Sequence, residues 1–171
     1  MNQDELNRFC DVMGIKARWS FKPNGKGGGT SIFCLFIAKG NNVYGKSAVS
    51  GDATAAKDNT AAKAWLKMQQ VARRAPMPTH HALDKFIEQY PGASELDRRK
   101  ANIALRLLWL KAREETLTPA QQAYKEEKYG RNDHVRYRRW RRLHFVYDGK
   151  NIITAHLYDG RAGENDAPTA N

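Results

Sequence analysis

Apolar and polar positions recur with two periods along this chain of 171 residues, and each period predicts a kind of element. Leu6, Phe9, Cys10 and Met13 stand at helical spacing behind Asp4, which can cap a helix, and Gly14 ends it. The period then shortens to two. Ile15, Ala17, Trp19 and Phe21 share one side of a strand over 15–22. Pro23-Asn24-Gly25-Lys26-Gly27-Gly28-Gly29 reads as a loop. Ser31 to Lys39 is apolar almost throughout, as a central strand is. Gly40-Asn41-Asn42 supplies residues that tolerate positive φ in a hairpin turn, and Val43 to Val49 returns. Ser50-Gly51-Asp52 leads into a long helix from Ala53 to about Arg74. Ala61, Trp65, Met68 and Ala72 form its apolar stripe, with Lys63, Lys67 and Arg74 on another face.

Beyond Pro76-Met77-Pro78, the best candidate boundary, the helical period returns over 79–129. Thr79 can cap a helix holding Leu83, Phe86, Ile87 and Tyr90, stopped by Pro91-Gly92. Ser94, with Asp97 three residues on, reads as a variant capping box. The helix behind it would bury Leu96, Ile103, Leu107 and Leu110, with Ala104 and Leu108 beside them. Arg99, Arg106 and Arg113 recur on its other side, as a solvated basic ridge does. Thr118-Pro119 opens a third helix that ends at Gly130. A hairpin follows: Leu143 to Tyr147, a turn at Asp148-Gly149-Lys150-Asn151, then Ile152 to Tyr158. The expected class is α+β. It has an α-β-β-β-α domain over 1–76, a helical and β-hairpin basic domain over 79–160, and a disordered tail over 161–171.

Composition adds charge to this outline. Lys and Arg number 29 against 18 Asp and Glu, a net +11. A chain this basic points to a polyanionic partner. Residues 1–76 hold 12 Lys and Arg against 5 acids, a surplus of seven; residues 77–171 hold 17 against 13, a surplus of four. Within the second part, Arg136-Tyr137-Arg138-Arg139-Trp140-Arg141-Arg142 concentrates five arginines and two aromatics with no acid. Arginine offers planar forks for phosphate, and aromatic rings offer stacking faces for unpaired bases. The bland alternative is a solvated, Arg-rich strand edge. Cys10 and Cys34 read as reduced core thiols, and with no CxxC and no nearby histidine no metal site is expected. No apolar run is long enough to span a membrane and no signal region opens the chain, so a cytoplasmic protein is expected.

Two family resemblances stand on particular residues. The order α-β-β-β-α over residues 3–74 resembles the double-stranded RNA-binding domain. The small-residue helix Lys57-Asp58-Asn59-Thr60-Ala61-Ala62-Lys63-Ala64-Trp65-Leu66 and the strand segment Tyr44-Gly45-Lys46-Ser47 carry that likeness best. The resemblance implies a grip on minor grooves and the phosphates between them by lysines at the start of the second helix, of which this chain keeps Lys57, with Lys46 nearby in sequence and Lys22 and Lys26 in and beside the first loop. Ala53, Thr54 and Ala55 stand where that family has its helix-start lysines, and the first loop lacks the family's Pro-His element. The C-terminal hairpin is weakly similar to barnase-type toxin ribonucleases. That likeness matches Arg142, Thr154 and His156 with Tyr158, and it implies a metal-independent cleavage in which His156 serves as acid and His144 or another group as base.

Gly40-Asn41-Asn42-Val43-Tyr44-Gly45-Lys46-Ser47 satisfies the phosphate-loop pattern GxxxxGK(S/T). Val43 and Tyr44 are strand formers, and no helix start follows the Lys-Ser pair, so the match reads as coincidence. The expectation is therefore a binder of structured or double-stranded RNA, or of DNA, through Lys22, Lys26, Lys46, Lys57, Lys63, Arg136, Arg138, Arg139, Trp140, Arg141 and Arg142. The alternatives are a ribonuclease using His156, His144, Arg142 and Thr154, and an inhibitor or adaptor that binds a nucleic-acid enzyme, a protein partner with an acidic surface, through its own basic face. No cofactor is expected.

Overall fold

Helix α1 (Gln3–Met13) begins behind Asn2, whose side chain accepts a hydrogen bond from the Glu5 amide, in the computed structural model of the chain, which describes residues 1–50, 53–131 and 134–157. Asn2 therefore caps in place of Asp4, which lies in the first turn where its charge suits the helix dipole. Gly14 closes the helix at φ 78°, a left-handed conformation that glycine adopts without strain. Strands β1 (Arg18–Pro23), β2 (Gly28–Leu35) and β3 (Val43–Ser50) form an antiparallel sheet in that order, and helix α2 (Ala53–Ala72) follows. The expected α-β-β-β-α order holds, but β2 lies earlier than the apolar run suggested. Asn42 accepts a hydrogen bond from the Ile37 amide and draws 36–42 into a longer connection. The ladder instead reaches back through Gly28 and Gly29. At Gly29 a Cβ would stand 2.4 Å from the Lys22 carbonyl oxygen, so only glycine fits.

Helix α2 lies close on β3 because its facing residues are small. A Cβ at Gly45 would meet the Thr60 carbonyl at 2.8 Å and the Ala64 methyl at 3.0 Å. Phe9, Met13, Phe33, Leu35, Val43 and Met68 fill the space between helices and sheet. Edge-on contacts of Phe9 with Trp65 and of Trp19 with Phe33 line the same core.

The chain divides into two compact units, Met1–Ala75 and Pro76–Asn171. The second unit opens with β4 (Met77–Pro78), an edge strand where proline's missing N–H costs nothing. Helix α3 (His80–Gln89) is capped by Thr79 as expected. A 3₁₀ turn (Ala93–Glu95) precedes α4 (Arg98–Lys111), and the cap of α4 is Asp97 rather than Ser94, which lies inside that turn. Then come β5 (Arg113–Glu114), α5 (Pro119–Tyr129), β6 (Arg136–Trp140), β7 (Leu143–Tyr147) and β8 (Asn151–Leu157). Thr118 and Gln121 form a reciprocal capping box at the start of α5.

The C-terminal hairpin is the middle of a five-stranded sheet, β4-β8-β7-β6-β5, antiparallel except for the β4–β8 pair. Helix α4 is buried nearly all round, through Ile103, Leu105, Leu107, Leu108 and Trp109, while Leu96 and Leu110 stay half-buried. Arg106 is half-buried beside the Met77 sulfur, so the expected ridge of Arg99, Arg106 and Arg113 is not one solvated face. Trp109 packs on Phe145 and Tyr147, which puts alternate β7 residues, His144 and Val146, on the other sheet face. Among the described residues no helix is long and apolar enough to cross a membrane. Tyr158 and the tail expected over 161–171 lie outside the described residues.

Candidate nucleic-acid interface

The five candidate lysines of the first unit are all exposed. Lys22 and Lys46 stand on the sheet face opposite α2, and Lys26 is in the β1–β2 loop. Lys57 and Lys63 are six residues apart on α2, about 120° around its axis. The fold therefore does not gather these lysines into one row. Lys46 and Ser47 lie within β3 and Gly45 is filled by α2, so the GxxxxGK(S/T) match builds no phosphate loop. Cys10 is buried, and burial pushes its thiol up to about 12; Cys34 is half-buried and free. Among the described residues no cluster of His, Cys, Asp and Glu could hold a metal ion.

The arginine run of the second unit is sorted by the strand period. Arg136, Arg138 and Trp140 share the face of Phe145, and Tyr137 and Arg139 share the face of His144. Arg138 is a packing residue: its guanidinium lies 4.5 Å from the Trp109 ring centroid and donates to the Trp109 carbonyl. The Trp140 ring has Arg141 at 4.8 Å and Lys111 at 5.3 Å. Trp140 pairs with Leu143, so Arg141 and Arg142 alone make the β6–β7 turn, and both are exposed. Arg141 takes a φ of 53°, a left-handed backbone that asparagine or glycine adopts more easily.

Strand register builds a row that sequence order hides. Arg113 pairs with Arg139, Arg139 with His144, and His144 with His156, so four basic side chains cross four strands on one face. Exposure falls inward: Arg113 is exposed, Arg139 half-buried and His144 buried. The two imidazoles stack at 5.7 Å. Glu115 follows β5, and its carboxylate lies 3.3 Å from His144 Nδ1, with both side chains almost fully buried. Buried Lys125 of α5 stands 5.7 Å from the Tyr137 ring on the same face. A cleft of about 160 Å³ opens beside Glu115, lined by Gln122, Arg136 and Tyr137 among others.

Burial first, then the charges of His144, Lys125, Lys128 and Lys85, pulls His156 down to about 4. It is neutral at pH 7, so it is a proton acceptor there and not the acid expected from the sequence. Thr154 pairs with Val146, one step along from the histidines, and is buried. Arg142 sits in the turn, outside the row; the arginine in register with His144 is Arg139. Arg113, expected on a helical ridge, and Glu115, given no role by the sequence, reach this face through β5, a two-residue strand with no period to read. No protein-family model matches the chain, and no curated protein or solved structure matches it.

Proposed function

We propose that the chain binds structured or double-stranded RNA through phosphate contacts with little sequence selectivity. The observation that carries this reading is the row Arg113–Arg139–His144–His156. Arg113 and Arg139 are like charges directly opposite each other on neighbouring strands, which is destabilising, and a polyanion relieves that cost. The exposed end of the row, with the paired arginines of the adjoining turn, offers forks to phosphate oxygens. The α-β-β-β-α order of the first unit, with its resemblance to duplex-RNA-binding domains, supports the same class of ligand.

The contact between Glu115 and His144 favours a second reading, a metal-independent ribonuclease. In that reaction a base such as neutral His156 takes the 2′-OH proton and the O2′–P bond forms. The P–O5′ bond breaks, His144 gives a proton to O5′, and an arginine steadies the charged phosphorane.

One preparation tests both. A labelled 20-base-pair RNA is titrated with the wild type and with Arg113→Gln/Arg142→Gln, in EDTA. The binder reading expects affinity to fall on the order of tenfold in the double variant, with the RNA intact. Equal affinity overturns it. Cleavage in EDTA that Glu115→Gln abolishes would establish the ribonuclease, and intact RNA after long incubation would remove it.

A further inference from the structure

The sheet of the first unit is basic without relief. From Val12 to Gly51 there are six Lys and Arg and not one Asp or Glu. Phe33, Leu35 and Val43 point to the core with α2, so the alternate residues form an outer face. Register aligns Arg18, Cys34 and Tyr44 in one row of that face, and Ser20, Ile32 and Lys46 in the next. The Tyr44 ring is 52% exposed and Phe36, just past β2, is 42% exposed. Two half-exposed aromatic rings on one cationic face give that face apolar area of the kind that binding surfaces carry.

Cations share this face with both rings. The Arg18 guanidinium lies 5.2 Å from the Phe36 ring centroid. Tyr44 and Lys46 are successive residues on the outer side of β3, about 7 Å apart along the strand. Aromatic rings and cations on one face complement bases and phosphates. A duplex hides the flat faces of its bases, whereas a single strand offers them for stacking. We infer that the outer face of β1–β3 binds unpaired RNA. Bases stack on Tyr44 and Phe36, and phosphates meet Arg18 and Lys46. This inference rests on the RNA-binding reading above and adds a separate surface with a different form of the ligand.

The test uses the full chain, a fluorescein-labelled 12-mer of uridine and the 20-base-pair duplex. Tyr44→Thr removes the ring and keeps a strand former. It should weaken 12-mer binding on the order of 5- to 150-fold, the range that loss of one stacked base implies, and leave duplex binding unchanged. Bound 12-mer should also slow alkylation of Cys34, which lies between Arg18 and Tyr44 in register. Equal 12-mer affinity of Tyr44→Thr and wild type, or an unchanged Cys34 rate, overturns the inference. Binding of duplex alone overturns it while leaving the RNA-binding reading intact. No binding of either probe sinks both. Displacement of the 12-mer by polyglutamate at equal charge would assign the face to an acidic protein instead.

Discussion

His156 shows how a single residue changes meaning once its register is known. In the sequence it is one of several histidines near a hairpin. In the fold it stacks on His144 and faces Lys125, Lys128 and Lys85 of the neighbouring helices, and it is held down to about 4. The sign of its effect on stability follows. In the unfolded chain it returns to its ordinary value near 6.5, so the unfolded state takes up the proton first as pH falls. Stability is fully present above pH 6.5 and drains away toward pH 4, by about 2 kcal/mol at pH 5. Urea denaturation of the full chain at pH 7.5 and pH 5 should show that loss in the wild type and a smaller one in His156→Gln. An equal loss in both would mean that His156 does not titrate as placed. Glu115 makes the complementary point. Its neighbours Arg113 and Glu114 form a strand too short for any pattern, so its approach to His144 emerges only from three-dimensional pairing.

Elements with long periods were legible, and elements held only by tertiary pairing were not. The caps Thr79 and Thr118 and the stop at Gly130 stand where local chemistry puts them. The small residues of α2 were visible as a pattern, and their cause is the close approach to Gly45. The strands β4 and β5 were not visible, because two residues carry no alternation. Nor was the hairpin β6–β7, because Arg141-Arg142 lacks the residues that a two-residue turn prefers. That mismatch is informative. A left-handed backbone costs a non-glycine residue about 1–2 kcal/mol, and the contact of Arg141 with Trp140 offsets about 0.5–1 kcal/mol of that. Arg141→Asn should therefore leave stability unchanged or raise it by about 0.5 kcal/mol in urea denaturation, because asparagine tolerates this conformation. Its affinity for duplex RNA should fall several-fold. Loss of both stability and affinity would show that Arg141 serves the turn and not a ligand.

At the scale of the whole molecule, the proposed RNA binding would draw on the net +11 only through the cations that touch phosphate. The sequence divided that surplus between its halves, and the fold divides it again. Arg138 packs on Trp109, and Arg74, though exposed, donates to the Gly40 carbonyl; Arg113 is exposed at the outer end of the basic row and Arg142 is exposed in the adjoining turn. Two double variants separate patch from net charge. Arg113→Gln/Arg142→Gln and Arg73→Gln/Lys150→Gln each lower the net charge by two, and all four positions are exposed. Each phosphate contact adds about 0.9 to the slope of log affinity against log salt on a duplex. If four cations around the row touch phosphate, the wild-type slope is about −3.6 and the first variant's about −1.8, with the second variant at the wild-type value. Titrations of duplex RNA from 50 to 200 mM salt measure all three, about the range in which such slopes are resolved. Equal slopes for the two variants would mean that the diffuse field of the chain binds, and that the row does not.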